Sequence, residues 1–115
     1  MKQSEIWLIN LDPTIGSEIK KTRPAIIVND DALGKLPFKI IVPLTNWKDK
    51  YLVAPWMVKI SPSPNNELSK DSSADCFQVR SLSERRFVKK LGRITEAELK
   101  EIQYSLSKVL SIKLE

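Results

Sequence analysis

Glu5-Ile6-Trp7-Leu8-Ile9-Asn10-Leu11 and Pro24-Ala25-Ile26-Ile27-Val28-Asn29 decide the fold of this chain. The first is a β-branched and aromatic run stopped by Asp12-Pro13, which reads as a strand entering a loop. The second is a short continuous apolar run of the kind a buried strand presents, and its proline fits the first strand position. Working outward, Lys39 to Thr45 repeats the pattern, and Trp56 to Ile60 alternates until Ser61-Pro62-Ser63-Pro64-Asn65-Asn66 ends it. Cys76 to Val79 and Phe87 to Leu91 read as two further strands. Short strands between turn-rich loops predict a small antiparallel barrel or curled sheet.

The last segment changes period. Thr95-Glu96-Ala97-Glu98 is a capping box, in which the Thr95 hydroxyl and the Glu98 carboxylate serve each other's unpaired backbone donors. Leu99, Ile102, Leu106, Val109 and Leu110 then recur at helical spacing and form one apolar stripe, so the fold is mainly β with a C-terminal helix. At 115 residues, with 42% hydrophobic and 29% charged side chains, residues 1–115 form one domain with enough apolar material for a core.

Lysine and arginine number 19 against 14 carboxylates, giving a net charge of +5 and a pI near 9.4. That balance favours an anionic partner, most commonly nucleic acid for a small basic domain. The chain has no histidine and one cysteine, Cys76. Serine–histidine and cysteine–histidine nucleophilic machinery is thereby excluded, as is every usual zinc site, and neither a metal nor a cofactor is expected. No disulfide can form within the chain, which fits a reducing compartment. The N-terminus runs into a strand and lacks the apolar core of a signal peptide, and no stretch approaches the ~20 apolar residues of a membrane span. The expected location is the cytoplasm, with no membrane partner.

Three stretches can carry chemistry. Between the first two strands lies a polar loop with Gly16, Glu18, Lys20 and Lys21, ending in Arg23 at the foot of the second strand. An arginine on a strand end is held rigidly enough to bind a phosphate through paired N–H donors, although the same residues also suit a solvated loop with a capping arginine. Thr45 ends an apolar run and is followed by Asn46, Trp47 and Lys48. A hydroxyl there can bond a phosphoryl oxygen while Trp47 stacks on a base, and threonine at a strand end is also a plain β-propensity choice. Arg85, Arg86, Lys89, Lys90 and Arg93 follow one another without a carboxylate between them, and either form a solvated surface or set several cations on one strand face as a track for a nucleic-acid backbone.

Taken together, Glu5-Ile6-Trp7, Leu11-Asp12-Pro13, Gly16-Ser17-Glu18, Arg23-Pro24, Val42-Pro43-Leu44-Thr45, Gln78-Val79-Arg80 and Leu91-Gly92 before a closing helix resemble the MazF/PemK-like toxins of toxin–antitoxin systems. The resemblance implies an SH3-like small barrel of the CcdB/MazF/Kid type, a homodimer, and an endoribonuclease that cleaves single-stranded mRNA at specific sequences without a metal. Such enzymes leave a cyclic phosphate and a 5′-hydroxyl and are silenced by an antitoxin, here expected to carry an acidic extended tail. The family's catalytic arginine and threonine fall on Arg23 and Thr45, and the glutamate of its mobile loop on Glu18. The residues expected to hold RNA are Lys20, Lys21, Asn46, Trp47, Lys48, Gln78, Arg80 and Arg86.

In-line attack by a ribose 2′-hydroxyl needs a base, a leaving-group acid and stabilisation of the phosphorane charge. Arginine deprotonates only above about pH 12, so Glu18 is the candidate base, and the acid is Arg23 or water. Two positions depart from the family. Several members carry an acidic residue directly before the glutamine of Gln-Val-Arg, assigned in some a catalytic role, whereas this chain has Phe77 there. If the segment is a strand, Asp75 shares the face of Phe77 and is the one carboxylate placed to substitute. The glycine common in the first strand is replaced by Ser4, a change expected to touch only a turn. A gyrase-binding toxin of the same fold is disfavoured by the absence of tryptophan from the tail, and a basic barrel that binds RNA without cutting it remains the other alternative.

Overall fold

The computed structural model describes residues 1–11 and 22–113. Glu18, Lys20, Lys21 and the Leu114-Glu115 end therefore lie outside the described residues. Seven strands are present among them: β1 (Glu5–Asn10), β2 (Thr22–Ile27), β3 (Phe38–Asn46), β4 (Met57–Ile60), β5 (Ser72–Asp75), β6 (Arg80–Ser83) and β7 (Phe87–Arg93). They are followed by the helix α1 (Glu96–Val109). All pairings are antiparallel, in the order β4-β5-β3-β2-β1-β7, with β6 also on β3. The nine-residue β3 is the hub, because β5 and β6 share one of its edges in succession while β2 takes the other.

Each face of the sheet buries its own apolar set. Ile6, Ile26, Val42, Leu44, Val58, Ile60 and Ala74 point to one side, where Ile102, Leu99, Leu106 and Val109 of the helix cover them. Ile9, Ala25, Ile27, Ile41 and Leu82 point to the other, with Trp7, Leu11 and Phe87 against them. The split follows from the period of two along each strand. The capping box forms as expected, Thr95 Oγ1 accepting from the Glu98 N–H and Glu98 Oε1 from the Thr95 N–H. Leu110 departs from the predicted stripe, lying past the last helical residue and 56% exposed.

The expected strand at Cys76 to Val79 is a single 3-10 turn, Cys76–Gln78, set between β5 and β6. The strand lies just before it, in Ser72-Ser73-Ala74-Asp75, which carries no apolar run to announce itself. The sheet also curls. The Arg93 N–H donates to the Asn65 carbonyl at 2.9 Å, drawing the β4–β5 connection onto the end of β7. Gly92 is required there, since a Cβ would run into the Asn65 carbonyl and Asn66 Cα.

Two further positions hold the first strand in place. Ser4 stands at φ 76, the left-handed conformation that explains why glycine suits this site, while its N–H donates to Ile27 O at 2.8 Å. Glu5, 8% exposed, accepts from the Trp7 indole at 2.9 Å, the Lys2 amide at 3.0 Å and the Lys90 ammonium at 3.1 Å. Burial alone would raise its carboxyl, but these donors outweigh it and hold the pKa at about 2.

Candidate nucleic-acid interface between β2 and β3

The β2–β3 ladder runs from Ile27–Ile41 to Ala25–Pro43 and stops. Its next step would set Pro24 opposite Leu44, and proline has no N–H to donate. The strands part there while β3 continues on β5, pairing Leu44 with Ala74, Thr45 with Ser73 and Asn46 with Ser72. The opening is a cavity of about 260 Å³ lined by Arg23, Pro24, Leu44, Thr45, Asn46 and Ser72.

Arg23 and Thr45, distant in sequence, are thus brought to one place. Arg23 pairs with Ile9 of β1, and continuing the β2–β3 register by two residues sets it across from Thr45. Both project from the face of Ala25, Ile27 and Ile41, so the pocket is the polar end of an apolar row. The side chains of Arg23, Thr45 and Asn46 have no hydrogen-bond partner among the described residues. Arg23 is exposed and Thr45 half-buried, which leaves donors aimed at an open cleft. Ser72 was not foreseen. It is 8% exposed, with its Oγ donating to Lys70 O at 3.2 Å, and nothing in its polar surroundings in the sequence marks it as a strand residue.

The other expected RNA contacts divide. Trp47, half-buried, has the Lys59 ammonium 5.2 Å above its ring and Tyr51 edge-on at 5.8 Å. Lys48 is exposed just beyond the end of β3. Arg80 is exposed on β6 opposite Ile41, and so shares the face of Arg23. Arg86 Nη1 donates to Asn10 O at 3.3 Å, tying it to the end of β1 next to Thr22. Gln78 donates its amide to Asp75 Oδ2 at 2.8 Å.

Asp75 does not share a strand face with Phe77. It caps the turn, accepting from the Phe77 N–H at 3.2 Å through one oxygen and from Gln78 through the other, while Phe77 stands 70% exposed against Trp56. The basic run from Arg85 to Arg93 is likewise divided rather than set on one face. Arg85 and Arg86 sit in a 3-10 turn, and in β7 Lys89 faces Leu8 while Lys90 faces Trp7 and binds Glu5. Adjacent strand residues point to opposite sides, and lysines on this outermost strand guard a sheet edge. Cys76 is buried against the helix, and burial pushes its thiol up, opposed in part by a hydrogen bond with Ser105 and helped least by the Asp75 charge. Among the described residues no three cysteine, aspartate or glutamate side chains converge as a metal cage would need.

The curled sheet carries one covering helix and, where β2 and β3 part, an open cleft with Arg23 and Thr45 in its lining. The chain belongs to the family described as PemK-like, MazF-like toxin of type II toxin-antitoxin system, whose model matches residues 2–110. It is 32% identical over 112 residues to endoribonuclease MazF9 of Mycobacterium tuberculosis, covering 92% of each chain. It is 30% identical over 113 residues to endoribonuclease PemK of Escherichia coli, covering 96% of this chain and 83% of that one. The fold is also that of a mycobacterial endoribonuclease solved with its cognate antitoxin, at TM-score 0.77 and 18% identity over 100% of this chain and 99% of the other. The MazE-MazF structure from Deinococcus radiodurans superposes at 0.76 with 22% identity over 98% and 97%.

Proposed function

We propose that this chain is the endoribonuclease toxin of a toxin–antitoxin pair, cutting single-stranded mRNA at short specific sequences in the cleft between β2 and β3. The observation that carries the reading is the meeting of Arg23 and Thr45 in one open cavity, with neither side chain engaged among the described residues. The naming of both the M. tuberculosis and the E. coli relatives as endoribonucleases supports it.

Arg23, charged at neutral pH, stabilises the negative charge that gathers on the phosphorane oxygens, and its planar donors suit two of them at once. The Thr45 hydroxyl donates to a phosphoryl oxygen and fixes the phosphorus for in-line attack by the 2′-hydroxyl. Glu18 takes the 2′-hydroxyl proton, and Arg23 or water supplies one to the leaving 5′-oxygen. The products are a cyclic phosphate and a 5′-hydroxyl. Asn46, Trp47, Lys48, Lys20, Lys21 and Arg80 hold the flanking nucleotides.

The partner that silences it is an antitoxin with an acidic, extended tail, matched to the same cations, so that tail and RNA compete. The protein works in the cytoplasm as a homodimer of one-domain subunits. Exposed Leu33, Leu36, Phe38 and Ile40, around an opening of about 200 Å³, offer apolar surface for a second copy. Among the described residues no helix is long and apolar enough to cross a membrane.

The test is incubation of purified protein with single-stranded RNA in EDTA, followed by end-group analysis. Cyclic phosphate and 5′-hydroxyl ends are expected. A strict magnesium requirement, 3′-hydroxyl products, or intact RNA would overturn the reading.

A further inference from the structure

A transverse row of side chains crosses four strands on one face of the sheet. Its members are Arg23 on β2, Thr45 on β3, Ser73 on β5 and Lys59 on β4. Thr45 stands opposite Ser73 and Ser73 opposite Lys59, while the continued β2–β3 register sets Arg23 opposite Thr45. Residues directly opposed in an antiparallel pair share a face. With paired strands about 4.8 Å apart, two steps separate the Thr45 and Lys59 backbones by roughly 10 Å, and Arg23 lies beyond Thr45 across the opening.

The middle and far members differ in kind. Ser73 is fully buried and its Oγ donates to Met57 Sδ at 3.1 Å, so it is floor. The Lys59 side chain is 46% exposed, with its ammonium 5.2 Å from the centre of the Trp47 ring and 3.7 Å from Asp71 Oδ2. Trp47 follows Thr45 by two residues, and its backbone N–H donates to the Asp71 carbonyl at 3.0 Å, which holds the two residues at the same strand end. A cation is thus mounted on a rigid strand, steadied by an aromatic face, in line with the cleft. An ion pair as exposed as Lys59–Asp71 contributes little to stability, so exchanging the carboxylate for another anion costs little.

We propose that Lys59 is a second phosphate subsite, binding an RNA phosphodiester remote from the scissile one, with Trp47 positioning the ammonium and Asp71 as the counter-charge that the RNA displaces. The subsite rests on the ribonuclease reading of the cleft. It supplies affinity along the backbone and no base selectivity, since a lysine reads a phosphate as a point charge.

The experiment measures binding of a fluorescent 2′-O-methyl RNA of about 12 nucleotides, which lacks the attacking hydroxyl, across a salt series by anisotropy. Lys59→Ala is expected to weaken binding several-fold on any sequence and to lower the slope of log affinity against log salt by about one. Lys59→Arg keeps the slope, and Asp71→Asn tightens binding. On a cleavable RNA, Lys59→Ala raises KM and leaves kcat. If the wild type binds and cuts RNA while Lys59→Ala keeps the full salt slope, the subsite is overturned and the cleft reading stands. Should the wild type neither bind nor cut, the ribonuclease reading falls with it.

Discussion

The two ends of β5 are equally polar and do opposite things. At one end Ser72 joins Arg23, Thr45 and Asn46 around an open cavity, and those three side chains are unengaged among the described residues. At the other, both carboxylate oxygens of Asp75 are spent inside the chain, on the Phe77 N–H and the Gln78 amide. A side chain whose polar atoms are each bonded within the chain holds the fold, whereas one with donors turned to an open cleft is free to meet a ligand. The difference separates candidates that look alike in the sequence, where Gln78, Arg23 and Thr45 belong to the same set of motifs and Asp75 stands close before one of them.

The strongest way to break this comparison is Arg23→Ala. If the guanidinium stabilises the phosphorane, turnover falls by about 10² to 10³, the loss seen for one preorganised donor, with the melting temperature nearly unchanged. A variant that cuts RNA at the wild-type rate would return Arg23 to the surface.

A second carboxylate, Glu5, sharpens the contrast in acid. It resembles Asp75 in being spent on internal donors, and its folded pKa of about 2 lies well below the ordinary glutamate value of 4.5. A depressed pKa contributes stability that is complete above the unfolded value and is lost as pH falls through the folded one. Unfolding measured from pH 5 to pH 2 is expected to show a loss of up to a few kcal/mol, and Glu5→Gln should flatten that dependence. An equally steep pH profile in Glu5→Gln would mean that other groups carry it.

Thr45 offers a finer division between hydroxyl and shape. Thr45→Ser is expected to keep much of the activity, and Thr45→Val to lose about 10- to 100-fold, as the missing hydrogen bond to a charged group would dictate. Equal rates for the two variants would show that packing selects the residue.

How much of this was legible in the sequence follows the same division between local and long-range cause. The helix was readable because capping box and apolar stripe are both local patterns, and β1, β2 and β3 because their runs are strongly apolar. β5 was not readable: Ser72-Ser73-Ala74-Asp75 lacks any β-branched or aromatic residue and is buried by the strands on either side. A strand at Cys76 would give Asp75 a face shared with Phe77, whereas Asp75 ends β5 and caps the turn that follows. Arg23 and Thr45 were found through motifs, but their meeting depends on Pro24 ending a ladder, and Lys59 enters only once three registers are known. The run from Arg85 to Arg93 misleads for the converse reason, since charges adjacent in sequence are parted by the alternation of the strand.

The smallest effect belongs to Asp75 itself, and it tests the comparison from the structural side. Asp75→Asn keeps an oxygen for the Phe77 N–H, and Gln78 can turn its amide to meet the new NH₂, so the turn should survive at a cost of about 1 kcal/mol. Thermal unfolding would then begin a few degrees earlier, while kcat per folded molecule stays at the wild-type value. Asp75→Ala removes both acceptors and should cost up to about 2 kcal/mol, again with chemistry intact. The alternative is that Asp75 replaces the carboxylate that Phe77 has displaced from the family's motif. In that event Asp75→Asn, nearly isosteric, would lower kcat by about 10² or more with little change in melting temperature. The two ratios, activity lost against stability lost, point in opposite directions for the two roles, so one variant measured both ways decides which end of β5 holds the chemistry.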